Sequence, residues 1–296
     1  MFLGIGASLN IMVTVSAVPH YFKRRVNAAY AVSGIGSSLA YITLPILMAK
    51  ALAAYGYRIG ILLLLPLTAL TLTSPIAFKD RLPRPPPQAF RESARPFGRL
   101  LWSYQTPFFL INSYLWNAGH TALIVVLYDY IIKCLGNIDT ANLIITVRGL
   151  SQGVGSCLFS FLLIFGYRFN HYLIQPVLNV VAGAAAIMMA FYTDEISLYI
   201  LTAITSFAYA VVVSNRACLC NHLYDVADVD YAFGYLELVG GIASLFGVFT
   251  CGLIQKAFGM ASGFYYIGGQ LIFGGFLLLL AAVPKPSILR PHTVYE

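Results

Sequence analysis

Nine stretches of roughly twenty apolar residues recur along this chain of 296 residues, at about 2–20, 27–49, 59–78, 105–128, 140–165, 172–192, 197–220, 231–254 and 262–283. That length is what a helix needs to cross a hydrocarbon core of about 30 Å at 1.5 Å per residue. Only 10% of the residues are charged and mean hydropathy is +0.78, against roughly 25% charged in a water-soluble domain. A chain so composed cannot cover its surface for water. It is read as an all-α membrane protein, which excludes a soluble enzyme, a secreted disulfide scaffold and a disordered regulator.

Short connections join most of the runs. The exception is 79–104, a polar break containing Arg-Leu-Pro-Arg-Pro-Pro-Pro and further arginines. Proline removes backbone donors and resists helix, so this segment is expected to be an extended solvated linker. The expected organisation is therefore three spans over 1–78, a linker over 79–104, six spans over 105–284 and a tail over 285–296.

The basic residues orient the chain. If the loop after the first span is cytoplasmic and sides alternate, the inner face holds Lys23, Arg24, Arg25, Lys79, Arg81, Arg84, Arg91, Arg95, Arg99, Arg168, Lys285 and Arg290. The outer face holds only Lys50, Arg58, Lys133 and Lys256. This asymmetry follows the positive-inside rule and places Met1 outside and the C-terminus inside. The net charge of +7 is thereby accounted for as a topology signal, and no nucleic-acid partner is expected. A first helix that starts outside reads like a chain lacking an odd number of preceding helices.

No catalytic constellation is evident. Gly4-x-Gly6, Gly34-x-Gly36 and Gly153-x-Gly155 sit inside apolar runs, without the strand–turn–helix setting of a phosphate loop, and read as close helix packing. The five cysteines show no metal-ligand spacing, no Cys-x-x-Cys or His-Glu-x-x-His motif occurs, and Gly149-Leu-Ser-Gln-Gly153 lies inside an apolar run rather than at the strand-to-helix turn of a nucleophile elbow. No metal, cofactor or enzymatic activity is expected.

A family resemblance is carried by Gly4-Ile-Gly6, Tyr21-Phe-Lys-Arg-Arg25, Ala31-Val-Ser-Gly-Ile-Gly36, Tyr55-Gly-Tyr-Arg58, Arg148-Gly149 and Ala232-Phe-Gly-Tyr-Leu-Glu-Leu-Val-Gly-Gly241. Together these resemble helices four to six, eight and eleven of the monocarboxylate transporters (solute carrier family 16) of the major facilitator superfamily. The resemblance implies that superfamily's fold, N-terminally truncated to about nine transmembrane helices, three plus six. It also implies secondary transport of a small organic anion by alternating access, with protons as a possible co-substrate. A single-span ancillary chaperone and a plasma-membrane location follow from the same likeness. The alternative is a truncated, non-transporting membrane protein or an ancillary subunit. Several positions depart from the family pattern. Tyr57 replaces a tryptophan, Gln255 an aspartate, and Ile144 the aspartate one turn before Arg148 that accompanies proton coupling; the first-helix lysine is absent.

Seven residues are singled out as candidates. Arg148 within its span is expected to bind a carboxylate through its planar fork of donors, or else to be satisfied structurally by backbone carbonyls or Asn142. Arg216 lines the substrate path or snorkels to the inner interface. Asn117 and His120, three residues apart on one helical face, bind substrate, relay a proton or hydrogen-bond between helices. Arg24 and Arg25 gate the inner mouth or anchor it. Glu237 is a candidate for proton coupling, or reaches the inner interface.

Overall fold

The computed structural model describes residues 18, 22, 26–62, 66, 98, 100–136, 138–167, 169–192, 194–224 and 228–281. The expected spans 2–20 and 59–78, the linker, the tail, and the candidates Arg24 and Arg25 lie wholly or mostly outside these residues.

Among the described residues the structure is all helical. The helices are α1 (Val26–Leu62), α2 (Gln105–Leu135), α3 (Ile138–Ile164), α4 (His171–Met188), α5 (Glu195–Leu223), α6 (Val229–Phe258) and α7 (Ala261–Ala281). Six of them, α2 to α7, are long and apolar enough to cross a membrane. The expected connection at 51–58 is instead helical: α1 runs through it and turns only at Gly56, whose φ of 74° is open to a residue without a Cβ. Elsewhere the ends follow local chemistry. Asn170 caps α4 by accepting from the Tyr172 backbone N–H, and Asp194 caps α5 through the Ser197 N–H at 2.9 Å. Gly136 ends α2 in the left-handed conformation.

The helices are apolar on the outside. Leu245, Phe249 and Leu238 of α6 project from the bundle, whereas Asn112, Gln175 and Asn179 are buried within it. This is the distribution expected when the surrounding solvent is lipid and polar side chains are retained for contacts between helices.

In the packing order, α3 lies on α5, α5 on α4, α4 on α7, α7 on α2 and α2 on α6. The pairs α2–α3 and α5–α6 touch only lightly. Exchanging α2, α3 and α4 for α5, α6 and α7 carries every one of these pairings onto another of the same set. One difference breaks this symmetry. The pair α6–α7 packs directly, while α3 and α4 barely touch and leave an apolar crevice of about 510 Å³ over Leu178, Ile204 and Phe207. Helix α1 lies across α3 and α5.

Small residues set the closest approaches. A Cβ on Gly247 of α6 would stand 2.5 Å from Cα of Ala118 on α2, and one on Gly183 of α4 would stand 2.7 Å from the Gly268 carbonyl of α7. Gly155 of α3 does the same against the Phe207 carbonyl of α5 at 2.9 Å. Of the glycines expected to mediate packing, Gly155 therefore does so, whereas Gly36 meets nothing within 4 Å among the described residues.

Candidate functional site

Two helix pairs, α2/α6 and α3/α5, face one another with little backbone contact between them. Long side chains bridge this seam. Ser113 meets Arg216 while His120 meets Tyr209, so α2 and α5 run antiparallel along it.

At one end Arg148, buried on α3, places its guanidinium nitrogen 2.7 Å from Nε2 of His120 on α2. An arginine only donates, so the imidazole nitrogen accepts. A hydrogen bond with one charged partner contributes about 1.5–3 kcal/mol, which offsets part of the cost of burying the cation. The partner in this bond is neither Asn142 nor a carboxylate. Asn142 is exposed, and Ile144, one turn before Arg148, belongs to the apolar core.

His120 lies flat against Tyr209 of α5, ring centroids 3.6 Å apart and planes within 7°. Tyr209 also stacks on Trp116 at 5.0 Å, and Trp116 and His120 are parallel to within 9°. Trp116 and His120 are four residues apart on α2, so both rings leave the same face, which a single ring from α5 can cover. Both cations address this aromatic group. The Arg148 guanidinium carbon is 5.9 Å from the Tyr209 centroid, and that of Arg216 is 5.4 Å from the Trp116 centroid. Such contacts contribute about 0.5–2 kcal/mol, more when desolvated.

At the other end Arg216 pairs with Glu237 of α6 at 3.4 Å, with side-chain exposures of 11% and 33%. It also approaches the Ser113 hydroxyl at 3.4 Å. Arg216 thus turns into the seam, toward Glu237 and Trp116, and Glu237 is engaged by it. Asn117 is differently employed. Its amide donates to the Ser113 carbonyl at 2.8 Å within α2 and stands where Gly240 of α6 leaves room for it. The row Arg148–His120–Tyr209–Trp116–Arg216–Glu237 therefore joins four helices through side chains alone.

Two members, and one buried neighbour in sequence, went unnoticed. Trp116 shares the face of His120, a signal that was present. Tyr209 lies two turns before Arg216 on α5, but nothing distinguishes it among 20 tyrosines. Gln152, one turn after Arg148, is buried with neither amide atom hydrogen-bonded among the described residues.

A second polar group lies deeper in the bundle. Gln175 of α4 donates to the Asn112 side chain at 2.7 Å, and Asn112 of α2 donates to the Gly274 carbonyl of α7 at 2.6 Å. His171 and Asn215 join α4 to α5 at 2.6 Å. These contacts bind helices of the bundle to each other.

No protein-family model matches the chain. It is similar to the MFS transporter asaE of Aspergillus flavus, with 25% identity over 300 aligned positions, covering 94% of this chain and 62% of that protein. The chain thus spans less than two thirds of the curated relative it matches. Six apolar helices long enough to cross a membrane, together with this likeness, support an integral multi-pass membrane protein similar to that transporter.

Proposed function

We propose that this chain is part of a secondary active transporter for small organic anions, of the monocarboxylate-transporter kind, working by alternating access between two helix bundles. Helices α2 to α7 are the C-terminal bundle of two inverted three-helix repeats, and their exchange-symmetric packing supports that reading. Helix α1 belongs to the partial N-terminal bundle and covers α3 and α5, which carry Arg148, Tyr209 and Arg216. The linker 79–104 is cytoplasmic, Arg24 and Arg25 stand at the inner mouth, and the protein resides in the plasma membrane.

The observation that carries this reading is a pair of guanidinium groups, Arg148 and Arg216, held at a seam where side chains rather than backbones join the helices. Membrane-embedded cations are costly and mark substrate paths. A carboxylate entering the seam takes the donors of Arg148 bidentately in place of its contact to His120. His120 and Asn117 complete the pocket, and the rings of Trp116 and Tyr209 form its apolar wall.

Arg148→Lys tests the assignment, because it keeps the charge and loses the fork. Uptake of a labelled monocarboxylate is expected to fall by about tenfold or more, the equivalent of one charged hydrogen bond, while surface expression is retained. Full uptake in Arg148→Ala removes Arg148 from the site.

A further inference from the structure

The contact between Arg148 and His120 constrains protonation. Arginine has no acceptor, so His120 Nε2 accepts, and the ring proton sits on Nδ1. A doubly protonated imidazole has two N–H donors and no lone pair, and it would confront the guanidinium as a second cation in a site of low polarity. The bond from Arg148 to His120 therefore exists only while His120 is neutral. We propose that His120 is the proton site that controls Arg148: the neutral ring occupies the arginine's donors, and protonation of the ring releases them to a carboxylate. This rests on the anion-binding reading given above and deepens it. A proton on His120 and an anion on Arg148 favour one another by thermodynamic linkage, each relieving the charge left by the other.

The surroundings single out His120. Arg148 is the charged group facing it from α3. From α5 come Tyr209, stacked on the ring, and Arg216, which reaches the adjoining Trp116. From α6 comes Glu237, whose described ion pair is to Arg216. Asp230 and Lys256 lie in the first and last turns of α6. Helix α7 contains no Asp, Glu, Lys, Arg or His; its Tyr266 hydroxyl is bonded to Thr250, and Tyr265 is exposed. Ile144 supplies no carboxylate one turn from Arg148. His120 hydrogen-bonds Arg148 and must lose that contact when its charge changes.

The test needs no substrate in its first arm. The chain has two tryptophans, and Trp102 is 90% exposed. Trp102→Phe therefore leaves Trp116 as the reporter, lying parallel to His120. In nanodiscs, Trp116 emission in this background is expected to fall through one titration as pH is lowered, because a protonated imidazole quenches a neighbouring indole. The titration should vanish in His120→Gln and His120→Asn, and persist in Glu237→Gln. Emission of the His120 variants at high pH should match the parent, which reports an intact fold. An unchanged titration in both His120 variants, or its loss in Glu237→Gln, overturns the proposal.

The second arm measures binding of benzoate and of lactate against pH. Affinity in the parent should strengthen by at most about tenfold per pH unit as pH falls through the titration, the limit for one linked proton. The slope should be flat in His120→Gln. A slope that survives in both His120 variants overturns the linkage alone. Parental affinity in Arg148→Ala overturns the anion-site reading instead, whatever the His120 variants show.

Discussion

Arg148 on α3 and His120 on α2, 28 positions apart, are joined by a 2.7 Å hydrogen bond between two helices whose backbones scarcely touch. A contact of this kind can be made and broken without unpacking a helix pair. It distinguishes the seam between α2/α6 and α3/α5 from the interfaces where glycine and alanine backbones meet.

The Arg216–Glu237 pair provides a second check on the seam. Glu237→Gln removes the countercharge while preserving shape, leaving Arg216 to Ser113 and the Trp116 ring. Arg216 is 11% and Glu237 33% exposed, so the stability loss is expected to exceed the roughly 1 kcal/mol or less of a solvent-exposed pair. If Arg216 contributes to anion capture, freeing it should tighten anion binding. Weakened binding in Glu237→Gln would show that the carboxylate holds Arg216 in its working position.

Gly247 sits where α6 crosses α2 at Ala118. A side chain there collides with backbone, which cannot step aside. Gly247→Val is expected to cost about 1–3 kcal/mol through overpacking, whereas Gly252→Val, where nothing lies within 4 Å among the described residues, should be close to neutral. Thermal unfolding in detergent compares the two, and equal melting temperatures would contradict the packing described.

The buried amide chain Gln175–Asn112–Gly274 should behave as a unit. Gln175→Leu leaves the Asn112 side-chain oxygen without its donor, and Asn112→Leu frees both neighbours. Within membranes such bonds are each worth about 0.6–1.7 kcal/mol. The double substitution should therefore cost less than the sum of the single ones by a similar amount. Strict additivity in a double-mutant cycle would mean that the two amides do not depend on each other.

Asp194 caps α5 from outside the membrane-spanning segment. Hydrogen bonds from the Ser197 side chain, and then from its backbone N–H, hold its carboxyl below the ordinary value of 3.8. A carboxylate whose folded value is depressed stabilises the fold fully above the unfolded value, and that contribution is lost as pH falls through the folded one. Asp194→Ala should therefore lower the melting temperature at pH 7, and the gap to the parent should narrow as pH falls below about 4. A gap of equal size at pH 7 and pH 3 would contradict this account.

The spacing of apolar runs determined by itself that helices α2 to α7 are long and apolar enough to cross a membrane, and that Arg148, Arg216 and Glu237 lie within them. Those conclusions follow from single-residue transfer costs and helix rise, which need no knowledge of neighbours. Helix ends were less legible: 51–58 reads as a connection between two apolar runs, yet α1 continues through it to Leu62 with a turn at Gly56. Partnership was not legible at all. Helical periodicity assigns Trp116 and His120 to one face of α2, but which helix that face meets depends on how glycines such as Gly247 and Gly183 let backbones approach. Only the tertiary structure set Tyr209 against His120, gave Arg148 an imidazole where a carboxylate was missing, and turned Arg216 inward to Glu237. Side chains of that length can reach several neighbours, and the energy that selects among them resides in the packed helices around them.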